Sequence, residues 1–363
     1  MGARGSRSGQ VVESTRNVEK LLERHRAFWR MDTVEKPLVR AGRYSRLNQR
    51  GFPLLGGGFA KDAVSVTPEM VEPKVIAEWQ DVPRRPVRSG LFSSVAPFGL
   101  CWNEAILGCP IRMSVGSVWA AAFLKDWSRL DELRFDPRNP WLLRLLELTR
   151  LLVKKAGGRV PVTQTLLRGP IDMAAAALGY QRLCVELYRS PREVERLLGI
   201  CTEIFLETAK AHLSLLPPFR EGFISAFGIW APGRTVLSQT DNSVLLSPSV
   251  YAKHVQPYDE RIIDAFEYPI VHTHQPCMQQ IIQPLLELQG LRALQMSLDR
   301  PNGPPVSEMI PMMRRVQERK PLIITGAATR EELNLMLEAL DPRGLCLSLS
   351  LWTEEERAKT LVP

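Results

Sequence analysis

A chain of 363 residues that is 45% hydrophobic can bury a large core, as two ordinary domains or as one large α/β barrel. Its formal charge of +8 is concentrated in residues 1–50, where twelve Lys or Arg face five Asp or Glu, so the rest is almost neutral and a nucleic-acid-binding stripe is not expected. The six cysteines form no Cys-x-x-Cys pair, no secretory leader is read, and no apolar run nears the ~18 residues that span a bilayer; together these predict a reduced, cytoplasmic protein with no membrane attachment.

In chain order, residues 1–15 are Gly-, Arg- and Ser-rich and are expected to be a disordered tail, despite a loose acylation pattern at Gly2. Residues 16–363 then read as one domain. Val18, Leu21, Leu22 and Trp29 have helical spacing and predict an amphipathic N-terminal helix over 18–30. A short strand is expected at 37–40. Residues 45–100 are rich in Pro and Gly, with one strand expected somewhere in 60–97; Gly56-Gly57-Gly58 lacks the spacing of a phosphate cradle. From Pro140 the pattern becomes regular: a Leu-rich helix over 141–156 stopped by Gly157-Gly158, a strand over 160–166, and a long helix after Ser190-Pro191. Further strands are predicted at 222–227, 268–274, 291–298, 321–325 and 345–349. Helix starts stand between or after them at Ser247-Pro248, Thr329-x-x-Glu332 and Thr353-x-x-Glu356. Strand followed by helix, repeated, means parallel strands joined by crossovers. About eight such strands close a (β/α)8 TIM-type barrel, here with an N-terminal helical extension. An open doubly wound sheet would want a Gly-rich first turn, and none is present.

In a barrel the chemistry lies at the C-terminal strand ends. There the sequence collects Thr163, Gln164 and Arg168, Trp230, His272 and His274, Asp299, Thr325, Ser348 and Ser350. His272 and His274 are two apart on one strand, so they share a face and could hold one ion or one substrate, with Cys277 close behind. A lone strand histidine is usually a satisfied core group; two at a rim beside a cysteine favour a site. Blander roles fit the others. Glu104 and Asp172 suit helix first turns, while His25, His212 and His254 suit solvated helix faces. Cys101, Cys109, Cys184 and Cys201 suit packing, and so does Cys346 in the absence of a ligand role.

Several segments in order resemble the uroporphyrinogen decarboxylase superfamily, which includes methyltransferases that work with corrinoid proteins: Trp102-Asn-Glu-Ala-Ile-Leu-Gly-Cys-Pro110, Arg168-Gly-Pro-Ile-Asp-Met173, Leu246-Ser-Pro-Ser-Val-Tyr251 with Pro257-Tyr258, Val271-His-Thr-His274, Asp299 and Thr325-Gly326. The resemblance implies a TIM-type barrel. In the methyltransferase branch a His-x-Cys at the matching strand end, with a later Cys, binds zinc that activates a thiol. Here it implies zinc at His272 and His274, with Cys346, Cys277 or Asp241 as third ligand. It raises Glu104 and Asp241 to candidate catalytic residues beside the two histidines, with Gln164, Trp230 and Asp299 as candidate substrate contacts. The chain lacks the Asp-x-His-x-x-Gly signature of cobalamin carriers, so any cobalamin would come on a separate corrinoid protein, against Trp230, Arg234 and the 231–242 loop. The decarboxylase branch needs no metal and grips substrate carboxylates with Arg-x-Ala-Gly-Arg-Tyr. Arg40-Ala-Gly-Arg43-Tyr44 is one residue short of it, which leaves Arg43 as the candidate anion contact. A barrel that binds a partner without chemistry is the third possibility, and a homodimer is compatible with any of the three.

Overall fold

The computed structural model describes residues 5–43, 63–114, 117–300 and 302–353. Helix α1 (Gly5–Arg30) comes first, then strand β1 (Leu38–Arg43), helix α2 (Trp102–Leu107), helix α3 (Pro140–Ala156), α4 (Pro170–Leu178) and α5 (Pro191–Ser214). The second half alternates: β2 (Thr235–Gln239), β3 (Tyr268–His274), α6 (Gln275–Glu287), β4 (Ala293–Leu298), α7 (Val306–Gln317), β5 (Leu322–Ala328), α8 (Arg330–Ala339) and β6 (Leu345–Leu351). Local chemistry sets many of these ends. Asn139 accepts a hydrogen bond from Trp141 N–H at the start of α3, and Gly157 ends that helix at φ 57°. Thr329 and Glu332 form the reciprocal cap of α8, and Ser247 caps the short helix Pro248–His254.

The six labelled strands form one parallel sheet in the order β1-β6-β5-β4-β3-β2. Extended segments carry the circle from β2 back towards β1. Arg168 bridges Gln239, Val95 bridges Val162, and Leu91–Phe92 lies beside β1. Eight extended passes thus follow one another in chain order, the arrangement of a TIM-type barrel. Helices α3 to α8 cover the outside, and the main apolar core lies between them and the strands.

Along each strand, alternate residues face the axis. The lowest inner layer is apolar: Leu38, Leu237, Ile270, Ala293, Ile323 and Cys346, with Leu91, Ile229 and Phe28 of α1. Two residues further along each strand stand Arg40, Gln239, His272, Gln295, Thr325 and Ser348, a polar layer: the registers pair Arg40 and Thr325 with Ser348 and pair His272 with Gln239 and Gln295, and the Gln295 side chain reaches Thr325 across a staggered register. Helix α1 closes the N-terminal mouth. Phe28 is buried in the floor layer, and Trp29 donates its indole N–H to Trp230 O at 2.8 Å while packing edge-on against Tyr268, the first residue of β3.

Several expectations change. The N-terminal helix begins at Gly5, inside the stretch expected to be a disordered tail; its first half carries no apolar stripe, so periodicity could not reveal it. The predicted 222–227 strand is a short antiparallel hairpin, Phe223–Ile224 with Trp230–Ala231, and the barrel strand is the five-residue β2, too short and mixed to stand out. His25, His212 and His254 are buried rather than solvated, because each ring finds partners across the fold. The Gly56–Gly58 stretch and the second half of the Thr353-x-x-Glu356 motif lie outside the described residues.

Candidate metal centre at the barrel rim

The last two inward residues of β3 are His272 and His274, and the turn after β2 brings Asp241 in front of them. His272 Nε2 and His274 Nε2 are 3.4 Å apart; Asp241 Oδ1 lies 3.5 Å from the first and Oδ2 3.7 Å from the second. Both rings are held by their other nitrogen. His272 Nδ1–H donates to Gln295 Oε1, whose amide is oriented by donating in turn to Thr325 Oγ1 at 2.8 Å. His274 Nδ1–H donates to Asp299 Oδ1 at 2.5 Å, and Asp299 N–H donates to Gln275 Oε1. With both Nδ1 atoms held by acceptors, both Nε2 atoms face Asp241; a cation there would take the Nε2 lone pairs and displace the proton that His274 otherwise shares with Asp241.

The donor set fits a zinc ion. Tetrahedral zinc with bonds of about 2.0–2.1 Å spaces its ligand atoms about 3.3–3.4 Å apart; the two Nε2 atoms stand at that separation, and with one Asp241 oxygen the three ligand atoms lie within 4.8 Å of one another. Asp241 Oδ1 is buried and accepts no hydrogen bond among the described residues. These three side chains are the group of potential ligands found among the described residues. Three protein ligands leave a fourth position for a substrate atom. Their electrostatics are mutual. Hydrogen bonding to Asp241 and Asp299 raises His274 to about 10, whereas burial lowers His272. Burial works against an ionised Asp241, but His274 and the neighbouring positive charges bring it below its usual value on balance.

A second carboxylate supports the first. Asp172, in the first turn of α4 and buried, accepts hydrogen bonds from Asp241 N–H (3.1 Å), Asn242 N–H (2.8 Å) and the Asn242 side-chain amide (2.8 Å). The short turn Asp241–Leu245 is thereby tied to α4, so Asp172 does more than favour a helix start. Burial and the charge of Asp241 push its carboxyl upward. Beside it, Glu104 is 1% exposed in α2 and accepts from Arg168 Nη1 at 3.0 Å; burial raises its pKa and Arg168 pulls it back.

Other expected site residues lie elsewhere. Cys346 stands in the apolar floor layer, below the polar layer and away from the cluster, and burial pushes its thiol up to about 12. Cys277 sits in α6, buried on the outside of the barrel, with its thiol donating to Thr240 O at 3.4 Å. Trp230 is 2% exposed at the floor, held by Phe219 O, His25 and α1; its place in the hairpin, not at a strand end, removes it from the rim. Arg234 likewise reaches Leu213 O and the Phe223 ring. Gln164 is buried with both ends of its amide bonded to the backbone of Leu237, standing in for ladder bonds between its segment and β2. Asp299 orients His274. The Arg43 side chain and Tyr44 lie outside the described residues.

Fold and site together define a parallel α/β barrel with a candidate His2Asp metal centre at the C-terminal strand ends. Residues 73–214 match the uroporphyrinogen decarboxylase (URO-D) family. Over nearly its whole length the chain has the fold of a methyltransferase from Methanosarcina mazei, with a TM-score of 0.59, 17% identity, and coverage of 94% of this chain and 97% of that one. No curated protein matches in sequence. The family match spans less than half of the chain, and the likeness to the methyltransferase is one of fold.

Proposed function

We propose that this protein is a zinc-dependent methyltransferase that acts on a thiol-type acceptor, with the methyl group delivered by a separate corrinoid protein. The observation that carries the reading is the convergence of His272 Nε2, His274 Nε2 and the Asp241 carboxylate, each ring held by a second acceptor. A zinc ion held there would supply Lewis-acid charge that favours the thiolate form of the acceptor. The chain's own residues do the rest. Gln295 and Asp299 hold the Nδ1 protons and aim both rings. Asp172 fixes the turn that carries Asp241, and Arg168 with Glu104 forms a charged pair beside it.

Elemental analysis of purified protein tests this. About one equivalent of zinc is expected, falling to less than about a tenth in the H272A/H274A double variant. A wild-type protein with less than about a tenth of an equivalent even after zinc incubation overturns the metal reading, leaving a metal-free decarboxylase with Arg43 as carboxylate clamp, or a non-catalytic binding barrel. Charge reversal at Arg43 separates those two, since only the first loses binding of a carboxylated substrate.

A further inference from the structure

The inner layer above the barrel floor contains Arg40, Ser348, Thr325, Gln295, His272 and Gln239. Arg40 donates to Ser348 Oγ at 2.8 and 3.1 Å, Gln295 donates to Thr325, and His272 donates to Gln295. Gln239 differs. It stands beside His272 in the register of β2 and β3, it is 6% exposed, and its Oε1 is buried without a hydrogen-bond partner among the described residues. Nearly all buried amides in native folds are satisfied, so an open acceptor on the axis side of a strand, next to a metal-binding residue, calls for a partner that arrives later.

We propose that Gln239 reads the substrate: its amide accepts a hydrogen bond from a hydroxyl or N–H group on the acceptor molecule, which is therefore a short thiol carrying a polar donor. This rests on the thiol reading above. An apolar thiol of the same shape leaves the amide unanswered, and a site built this way discriminates against such an analogue.

The test compares wild type with Gln239→Leu in two measurements. In thermal melts of the ligand-free protein, the variant is expected to melt no lower than wild type, because it removes an unsatisfied buried group. A fall of more than about 4 °C would show that the amide has a structural partner, and the proposal fails. In the second measurement, cobalt(II)-loaded protein is titrated with 2-mercaptoethanol and with 1-propanethiol, which differ by a hydroxyl against a methyl, following the thiolate-to-cobalt absorption. The ratio of the two affinities is expected to shift by about tenfold towards propanethiol in the variant. A ratio that moves by less than about twofold overturns the proposal. If wild type binds cobalt and neither thiol changes its spectrum while the variant melts no lower, the thiol reading falls and Gln239 remains an open acceptor for another donor.

Discussion

Two histidines outside the site show how backbone geometry can demand one protonation state. His25 Nε2–H donates to Gly90 O, while its Nδ1 accepts from Trp230 N–H at 2.8 Å. His212 Nε2 accepts from Thr165 N–H at 3.1 Å, and its Nδ1 faces Thr149 Oγ1, whose own proton goes to Leu145 O. Each ring must keep a lone pair for a main-chain N–H, so each must stay neutral. Burial lowers both to about 4; at His25 the bond to Gly90 opposes that shift and Arg24 adds to it. The unfolded chain binds these protons near pH 6.5 and the folded chain does not, so their contribution is fully present above about 6.5 and is lost as pH falls towards 4, on the order of 3 kcal/mol for each. Asp259, raised by burial to about 7, works in the opposite sense, so the informative quantity is a difference. Urea unfolding at pH 7.5 and 4.5 should show a weaker acid dependence in His212→Gln than in wild type. The same scale explains which site residues were legible. Strand alternation alone pairs His272 with His274, because that rule is local. Asp241 comes from the turn after β2 and Gln295 from β4, and nothing in their own neighbourhoods says that their side chains meet the histidines.

At the level of elements, the joint between the 160–168 segment, α4 and β2 controls the site. Gly169 N–H donates to Gln239 O at 2.9 Å, and a Cβ at Gly169 would lie 2.3 Å from that oxygen and 2.7 Å from Ser238 Oγ. Only glycine permits this approach, which sets the distance from α4 to the turn carrying Asp241. Gly169→Ala is expected to cost about 2 kcal/mol, by analogy with overpacking elsewhere, and to weaken zinc binding about tenfold or more by displacing Asp241 from the histidines. Chelator competition and a thermal melt check both effects; unchanged zinc affinity would show that the turn is held by Asp172 alone. Strands β3 to β6 were readable because each is an apolar run bounded by clear breaks. β2 was not, since its five residues include Thr, Ser and Gln, whose burial depends on neighbours supplied by distant segments.

For the whole molecule, α1 is a structural plug. Phe28 is 3% exposed within the floor layer, and Trp29 and His25 tie the helix to the hairpin before β2. Phe28→Ala is expected to destabilise the fold by about 3–5 kcal/mol, seen as a lower melting temperature, with zinc stoichiometry retained because the centre lies at the opposite end. Loss of zinc in a protein that remains folded would show that the floor and rim are coupled. No described helix is long and apolar enough to cross a membrane. What the sequence determined by itself is the alternation of strands and helices, the barrel class that follows from it, and the two histidines on one strand face, because periodicity and capping act within a few residues. Only the tertiary structure decided that Asp241 stands with them, that Cys346 is part of the floor, and that Trp230 lies under the barrel. Those placements depend on the register between strands far apart in the chain and on the helix that fills the mouth.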